Sequence, residues 1–306
     1  MARVLLTGAS GFAGPPVVSA LHEAGFTVRL ALRRAVDLAP DVETVLIGDL
    51  SRPVDWRDAL TDVDHVVHLA GLAHAGPGLD DELYRRINTE ATLRLAEAAE
   101  AGGVRRFVFI SSIKALTGES EGRFRDEDKP RPTDAYGRSK LAAEQGLAQL
   151  GLDWVALRPV LIYGPGVKAN MAALLKLAKL PVPLPLGGLT EPRSLLSVEN
   201  LAGAILFALS PDCPARRSYI VSDPEPVSVA KMLAEMRTGM GRNPGLLPVP
   251  PAILRSAARL LGKGEAYRKL AGGLLARPDS LLNSGWRPVL SVREGLRRLG
   301  ASVRGA

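Results

Sequence analysis

The chain has 306 residues, of which 46% are hydrophobic and 23% charged, and this composition predicts a globular protein with a large buried core. The formal net charge of +7 favours anionic ligands, but the basic residues are scattered and only 5% of the chain is aromatic, which argues against nucleic-acid binding. The chain has one cysteine, Cys213, which excludes an internal disulfide and a cysteine metal cluster. Its four histidines show no metal-site spacing; they are His22, His65, His68 and His74.

The chain opens on a short apolar run, Val4 to Leu6, followed by glycines at positions 8, 11 and 14 and at once by a helical pattern. Backbone N–H groups beside such glycines can approach an anion closely, and the helix N-terminus adds partial positive charge. This strand–turn–helix order predicts a cradle for the pyrophosphate of a dinucleotide. Pro15 and Pro16 predict a distorted helix start, because proline removes backbone hydrogen bonds.

The second predicted strand, Thr27 to Leu32, ends in Arg33 and Arg34. In dinucleotide-binding folds an acidic residue at this point holds the ribose hydroxyls of NAD, whereas arginine suits the 2′-phosphate of NADP. No acidic residue occupies positions 32–34, and Asp37 lies farther along. We therefore expect NADP(H), with NAD(H) as the alternative. Both arginines would otherwise be solvated loop charges.

Three further strands precede turns of small or polar residues. Glu43–Ile47 leads to Gly48-Asp49-Leu50, His65–Leu69 leads to Ala70-Gly71, and Arg106–Ile110 leads to Ser111-Ser112. Helical patterns separate them, including Glu82 to Ala101 with Asn88, which we expect to brace the sheet. Alternating strands and helices predict an α/β fold of Rossmann type, a doubly wound parallel sheet that binds ligands at the carboxyl ends of its strands.

The second half of the chain divides by composition. After a polar loop, Tyr136 and Lys140 lie on one face of a predicted helix, and a strand from Trp154 to Arg158 follows. We expect residues 1–166, joined by 195–221, to form the dinucleotide-binding domain. Residues 167–194 and 222–306 would form a smaller substrate-binding domain, with an amphipathic helix near Ile253 to Leu261.

The chain shows no sign of a targeting or spanning segment. No uncharged apolar run reaches about 18 residues, so neither a membrane span nor a membrane partner is expected. Gly8 to Gly14 interrupts the first apolar run, which does not fit a signal peptide. We expect a cytoplasmic protein.

Three motifs together resemble a known family. Thr7-Gly8-x-x-Gly11-Phe12-x-Gly14, Tyr136-x-x-x-Lys140 and Arg158-Pro159-x-x-x-Tyr163-Gly164-Pro165 are similar, in order and spacing, to the extended short-chain dehydrogenases/reductases of the epimerase/dehydratase branch. The resemblance covers essentially the whole chain. Within that branch, Phe109 to Lys114 and Gly166 to Asn170 look closest to 4-epimerase-like reductases of UDP-4-keto-deoxysugars.

The resemblance implies catalytic roles. Tyr136 would be the acid/base at the sugar oxygen, and Lys140 would lower its pKa from about 10 and hold the nicotinamide ribose. Ser112 would hydrogen-bond the reacting oxygen, with Ser111 and Thr117 as rivals, although the serines would otherwise only cap the strand end. Lys114 and Ala115 stand where sugar dehydratases carry an acidic pair, which disfavours dehydration.

It also implies binding residues. For the cofactor these are Gly8, Ser10, Gly11, Phe12 and Gly14 at the pyrophosphate, Arg33 and Arg34 at the 2′-phosphate, Asp49 and Leu50 at adenine, Leu69, Ala70, Gly71 and Ser111 along the ribose side, and Pro159 and Val160 at the nicotinamide. For the substrate they are Lys168, Asn170 and Arg193, the last on the diphosphate.

The function expected from the resemblance is NADP(H)-dependent reduction of a UDP-4-keto-(N-acetyl)deoxyhexose. The main alternative is a UDP-hexose 4-epimerase that retains NAD. Less favoured are a non-catalytic NADP(H)-sensing protein, which would typically lack the Tyr136/Lys140 pair, and a reductase of flavonoid or steroid ketones, against which Lys168 and Arg193 argue. The resemblance also implies a homodimer through the helices that carry Asn88 and Tyr136, although their apolar faces would equally suit packing on the sheet.

Overall fold

A computed structural model of the chain describes residues 1–35, 42–73 and 80–303, so that Asp37 and His74 lie outside the described residues. The strands are β1 (Arg3–Thr7), β2 (Thr27–Leu32), β3 (Glu43–Leu46), β4 (His65–His68), β5 (Arg106–Ile110), β6 (Gly122–Phe124), β7 (Trp154–Pro159), β8 (Leu161–Tyr163), β9 (Pro192–Arg193), β10 (Leu195–Ser197), β11 (Arg217–Val221), β12 (Val227–Ser228) and β13 (Leu274–Ala276). The helices are α1 (Gly14–Glu23), α2 (Arg57–Leu60), α3 (Asp81–Tyr84), α4 (Ala91–Ala101), α5 (Ile113–Leu116), α6 (Ala135–Leu147), α7 (Ala169–Lys179), α8 (Val198–Leu209), α9 (Val229–Gly239), α10 (Pro251–Leu260), α11 (Gly264–Ala271), α12 (Asp279–Asn283) and α13 (Val292–Ala301).

A seven-stranded parallel sheet forms the centre of the molecule, in the order β11-β7-β5-β4-β1-β2-β3. The chain builds outward from β1 to β3 on one side and then returns through β4 to the other side. The order therefore reverses between β1 and β4, and open parallel sheets bind ligands in the crevice at such a reversal. This confirms the predicted Rossmann-type α/β fold.

Hydrophobic residues of each strand pack on both faces of the sheet. Val4 and Leu6 contribute to the cluster on the α1 and α8 side, whereas Leu5 between them contributes to the cluster on the α4 and α6 side. Strands buried on both faces explain why their sequences are continuous apolar runs. Leu95 on α4 and Leu147 on α6, the two helices through which a homodimer was expected, are buried in the second cluster.

A third hydrophobic cluster lies among α7, α9 and α13, built around side chains such as Met171, Met232 and Leu296. Its residues come largely from the two stretches assigned to a substrate-binding domain. The division of the chain into two domains stays a prediction. In the part of the chain that the structure describes, none of the helices has the length and apolar character needed to cross a membrane.

The predicted distortion at the start of the first helix is wrong. α1 begins at Gly14, so Pro15 and Pro16 occupy its first turn, and the first regular bond runs from Val17 N to Ala13 O at 3.3 Å. N–H groups in the first turn of a helix have no partner within the helix, so the prolines remove no bond, and their fixed φ suits the helix.

The helix predicted over Glu82 to Ala101 is interrupted by a π-helical turn at Arg85–Glu90, between α3 and α4. A π turn inserts an extra residue into the helical repeat and often occurs at functional sites. Asn88 and Thr89 are buried within this turn. The turn thereby directs the Asn88 amide toward the end of β4 and toward α6.

Candidate functional site

The glycine loop between β1 and α1 has no space for side chains at two of its three glycines. Gly8 has φ +77°, and a Cβ there would lie 2.6 Å from the backbone nitrogen of Ala70. A Cβ on Gly14 would lie 1.9 Å from the carbonyl oxygen of Ala9. Hydrogen bonds from Gly11 N to Gly8 O (3.0 Å) and from Gly14 N to Gly11 O (3.1 Å) hold the turn. The loop and the N-terminus of α1 can therefore approach a phosphate group closely.

Arg33 and Arg34 are exposed directly after β2, beside the turn that follows β3. In that turn the Asp49 carboxylate accepts a hydrogen bond from Ser51 N at 2.8 Å. This bond, with the charges of Arg33 and Arg52, lowers the pKa of Asp49 below its usual value. Arg52, which the sequence analysis missed, is thus a second basic residue near Asp49, beside Arg33. The neighbouring Leu50 packs against the hydrophobic cluster beneath.

The turn after β4 is fixed by buried polar groups. Ala70 N donates to Thr7 Oγ1 at 3.1 Å, and Leu69 N donates to the carbonyl oxygen of Thr7 at 3.3 Å. Asn88 uses its whole amide on this region: its Oδ1 accepts from Leu72 N (2.8 Å), and its Nδ2 donates to Leu72 O (3.1 Å) and to Ser139 Oγ (3.0 Å). Asn88 therefore joins the turn to α6.

A buried histidine continues this polar framework. The Thr92 hydroxyl donates to the carbonyl oxygen of Asn88 (2.8 Å), so it accepts from His68 Nε2 (3.1 Å), and His68 Nδ1 accepts from the Thr7 hydroxyl (2.7 Å). Burial, with the Lys140 charge, lowers the pKa of His68 to about 3. His68 is therefore a neutral imidazole that fixes the end of β4 against the helix behind it.

Tyr136 and Lys140 lie in the first turns of α6, whose N-cap Asp134 accepts a hydrogen bond from Gly137 N at 2.7 Å. The Lys140 side chain is buried, and its ammonium group donates to the carbonyl oxygen of Ile110 (2.8 Å) 4.5 Å above the ring of Phe109. Burial lowers the pKa of Lys140 to about 7, against an opposing effect of Glu144.

Lys140 also lies close to the small-residue turn after β4. A Cβ on Gly71 would lie 3.1 Å from Lys140 Nζ and 3.0 Å from Asn88 Oδ1, so a larger residue at Gly71 would displace one of these groups. The glycine that was assigned to the cofactor's ribose side is thus also required by the packing of the lysine.

The expected effect of Lys140 on Tyr136 is not found. Burial raises the pKa of the Tyr136 phenol, the nearby Asp134 and Tyr84 add to the rise, and a hydrogen bond with Ser112 opposes it. Lys140 is not among the groups that shift this pKa, and its ammonium group donates to the Ile110 carbonyl. Among the described residues, the Ser112 hydroxyl is the group that lowers the pKa of this phenol.

The structure separates the three candidate hydroxyls. Ser112 is the N-cap of α5, where its Oγ accepts from Lys114 N (3.1 Å) and hydrogen-bonds Tyr136. The Ser111 hydroxyl instead donates to the carboxylate of Glu144. Thr117 Oγ1 accepts from the backbone nitrogen of Glu119 at 3.0 Å. Of the three, Ser112 is the one that the fold brings to Tyr136.

A buried ion pair supports this site and was missed by the sequence analysis. The Arg158 guanidinium donates to both oxygens of Glu144 at 2.6–3.1 Å, and the Ser218 hydroxyl donates to the same carboxylate at 2.9 Å. Both charged side chains are less than a tenth exposed. The available signal was the spacing, since Glu144 follows Lys140 by four residues on one helix face.

The third motif contributes mainly to the scaffold. Pro159 ends β7, and Val160 is buried with its N–H bonded to Val221 O at 3.2 Å. The Phe12 ring lies near Gly164, where a Cβ would be 3.7 Å from its Cζ. Tyr163 is fully buried, and its hydroxyl donates to Asp223 (2.9 Å), so it is not available to a ligand.

The three predicted substrate residues have different surroundings. Lys168 and Asn170 are exposed at the start of α7. Arg193 is half-buried, and its Nη2 donates to the carbonyl oxygens of Leu270 (2.5 Å) and Gly272. Its Nε is buried without a partner among the described residues. Arg193 therefore holds the end of α11 rather than projecting freely into solvent.

Beside Arg193, α10 and α11 enclose a cavity of about 830 Å³ that the sequence analysis did not anticipate. Three arginines line it, Arg255, Arg259 and Arg268, together with Tyr267, Gly188 to Glu191, Gly272, Gly273, Glu121 and Gly122. The loop that leaves Ser112 and α5 thus reaches this cavity at Glu121. The spacing of Arg255 and Arg259 by four residues places both on one helix face. Glu191 and Glu265 also line the cavity with Glu121, so three carboxylates balance the three arginines in number, and an anionic ligand would have to bind at the arginine side.

Comparison with known proteins identifies a matching family and several similar proteins. Residues 4–221 match the sequence model of the NAD dependent epimerase/dehydratase family. A UDP-glucose 4-epimerase of Vibrio cholerae is 36% identical over 310 residues, covering 96% of this chain and 93% of the relative. A 3-diazoavenalumate denitrifying reductase of a Streptomyces species is 31% identical over 97% of this chain and 99% of its own length. The structure of MoeE5 with UDP-glucose and NAD superimposes with a TM-score of 0.73 and 26% identity, over 99% of this chain and 98% of that one.

Proposed function

The chain belongs to the NAD-dependent epimerase/dehydratase family, and from that premise we propose that it reduces the 4-keto group of a UDP-linked (N-acetyl)deoxyhexose with NADPH. The observation that carries the proposal is the grouping of Tyr136 and its hydrogen-bonded Ser112 with Lys140 at the carboxyl end of β5. The UDP-glucose and NAD bound by MoeE5 support a nucleotide sugar and a nicotinamide cofactor.

The glycine loop fits a dinucleotide, because Gly8 and Gly14 let the loop pack directly on the backbones of Ala70 and Ala9 and so bring the N-terminus of α1 close to a phosphate group. A bound nicotinamide supplies the hydride. Arg33 and Arg52 support NADPH, since two guanidinium groups beside the Asp49 carboxylate leave a surplus of positive charge for a 2′-phosphate. Arg34 is exposed next to Arg33 and would add to it.

The cofactor preference is tested by the double variant Arg33→Ala/Arg34→Ala. We expect KM for NADPH to rise at least tenfold and KM for NADH to change less than twofold, with Arg57→Ala, an exposed arginine on α2, as the control. Equal effects on both cofactors would contradict the 2′-phosphate assignment.

Tyr136 donates its phenolic proton to the ketone oxygen as the carbonyl carbon accepts the hydride, so the product is an alcohol. Ser112 hydrogen-bonds the phenol and stabilises the phenolate that results. Lys140, whose ammonium group donates to the Ile110 carbonyl, is proposed to hold the nicotinamide ribose. Tyr136→Phe should retain cofactor binding and lose turnover by at least two orders of magnitude. Unchanged turnover would exclude Tyr136 as the proton donor, whereas a wild type that binds NADPH but turns over no sugar would favour a sensing protein.

The cavity beside α10 and α11 is proposed to hold the UDP diphosphate. Arg255, Arg259 and Arg268 line it, while Arg193 supports its wall through the Leu270 and Gly272 carbonyls. We expect Arg268→Ala to raise KM for the UDP-sugar and the inhibition constant of UDP about tenfold, with kcat nearly unchanged. Arg277→Ala, at an exposed arginine outside the lining, is the control. An unchanged inhibition constant of UDP would show that the diphosphate does not bind in this cavity.

A UDP-hexose 4-epimerase is the second candidate, favoured by the 36% identical relative from Vibrio cholerae. An epimerase oxidises and then reduces the same carbon, so it needs no external reductant. Purified protein with UDP-galactose and no added cofactor therefore distinguishes the two: UDP-glucose formed over many turnovers identifies the epimerase, and turnover only of a 4-keto sugar with consumption of NADPH identifies the reductase.

A homodimer through α4 and α6 also remains a proposal. Leu93 packs against Gly146 between these two helices, where a Cβ would lie 2.5 Å from its Cδ2, so part of the apolar surface is already used within the chain. Analytical ultracentrifugation decides: a monomer at micromolar concentration excludes the dimer.

A further inference from the structure

Large hydrophobic side chains are exposed in one region far more than elsewhere. Of the ten such side chains exposed in the described residues, six fall in two stretches, 180–182 and 247–261, and we call these six the apolar patch: Leu180, Val182, Leu247, Ile253, Leu260 and Leu261. Leu260 is 89% exposed and Leu261 71%, so neither is sheltered by the fold. Exposed groups of this kind mark interaction surfaces.

The two stretches are neighbours in space. Leu184 N donates to Gly245 O at 2.9 Å, and Leu247 N donates to Leu184 O at 2.8 Å. The Arg242 guanidinium donates to the carbonyl oxygen of Lys179, next to Leu180. A short proline-containing segment then leads from Leu247 into α10. The apolar patch is therefore one surface that extends from the end of α7 along α10.

The outer face of α10 contributes neither to the hydrophobic core nor to the lining of the cavity. Leu254 packs against the third hydrophobic cluster, and Arg255 and Arg259 line the cavity. Ile253 and Leu260, seven residues apart, lie on the remaining face. In the structure Ile253 and Leu260 on this face are exposed to solvent.

The segment 240–272, which carries four of the six side chains of the apolar patch, has an excess of positive charge in its sequence. Residues 240–272 carry six basic residues and one acidic residue, a net +5 of the formal +7 of the whole chain: Arg242, Arg255, Arg259, Lys263, Arg268 and Lys269 against Glu265. The expectation of scattered basic residues is therefore wrong for this region. Two copies facing each other here would bring like charges together, which disfavours self-association, whereas an anionic surface is attracted.

We propose that the apolar patch and its basic residues bind the surface of an anionic phospholipid bilayer. Ile253, Leu260 and Leu261 enter the interface, and Arg242 and Lys263 contact the phosphate headgroups, the arrangement by which amphipathic helices lie on membranes. A bilayer interface accepts exposed apolar side chains without requiring a matching pocket. The expectation of no membrane partner rested on the lack of a spanning run, and a helix lying on the surface needs no such run.

Vesicle co-sedimentation of the full chain tests the proposal. We expect binding to phosphatidylcholine vesicles containing a quarter phosphatidylglycerol, little binding to pure phosphatidylcholine, and release by 0.5 M NaCl. Leu260→Ser/Leu261→Ser should weaken binding at least tenfold, and Val289→Ser, another exposed apolar residue that lies beside α8, should not. Lys263→Glu should weaken it more than Lys231→Glu, a matched charge change on α9.

Several results would overturn the proposal. These are no sedimentation with anionic vesicles at low salt, or equal binding by wild type and Leu260→Ser/Leu261→Ser. A third is a dimer in ultracentrifugation that Leu260→Ser/Leu261→Ser converts to monomer, which would assign the surface to a second copy. The variants change side chains in solvent, so circular dichroism and cofactor binding should match wild type. The proposal does not depend on which sugar the enzyme uses.

Discussion

Replacing Lys140 with methionine separates the stability of the site from its chemistry. Burial lowers the pKa of Lys140 from 10.5 to about 7 in the folded chain, whereas the unfolded chain keeps the ordinary value. Because the folded state binds this proton more weakly, the lysine destabilises the fold below about pH 10, fully so below about pH 7. At about 1.4 kcal/mol per pKa unit, lowering the pH from 9 to 7 should cost the wild type roughly 2 kcal/mol through this group.

Methionine has a similar length, carries no charge and can contact the Phe109 ring, while the lost hydrogen bond to Ile110 O costs about 1 kcal/mol. We expect Lys140→Met to be more stable than wild type at pH 7 and not to lose stability between pH 9 and pH 7. Its turnover should be lost. Urea unfolding at pH 7 and pH 9 measures the free energy of unfolding of both proteins, with Lys231→Met, at an exposed lysine, as the control. A stability difference that is the same at both pH values would refute the reasoning.

Three further predictions concern the scaffold. Glu144→Gln leaves the buried Arg158 without its carboxylate, so urea unfolding should show a loss of about 3–5 kcal/mol, and a loss below 1 kcal/mol would mean that the pair is dispensable. Gly8→Ala should abolish NADPH binding in fluorescence titration, because its Cβ meets backbone at 2.6 Å; Gly48→Ala, with a similar φ of +73° but open space, is the control and should bind normally. Pro16→Ala should change the free energy of unfolding by no more than about 1 kcal/mol, since no helical bond is missing at that position; a larger stabilisation would indicate a strained helix start.

Glu144→Gln has a second, chemical consequence. The Glu144 carboxylate opposes the fall in the pKa of Lys140, so its neutralisation should lower that pKa further. The charged group that acts on Lys140 is Glu144, which is itself paired with Arg158 on β7, and Lys140 in turn acts on the neutral His68 on β4. An acid shift in the pH dependence of kcat would distinguish this electrostatic role from simple structural support, and an unchanged profile with lower stability would leave only the support.

The sequence by itself determined the local features. The strand–turn–helix at β1 and α1 follows from an apolar run and glycines at fixed spacing, and the shared face of Tyr136 and Lys140 follows from helical periodicity. Alternating strands and helices also predicted the parallel sheet, because crossover connections leave few topologies. The prediction for the start of α1 was wrong because the sequence does not show whether prolines lie inside a helix or in its first turn.

Only the tertiary structure decided which distant groups meet. Ser111 and Ser112 are adjacent and chemically identical, yet one bonds Glu144 and the other Tyr136, because alternate side chains leaving β5 point to different neighbours. The raised pKa of the Tyr136 phenol and the carbonyl contacts of Arg193 likewise depend on burial by segments far away in the chain. Periodicity reports which face of an element a residue occupies, and packing alone determines what that face meets.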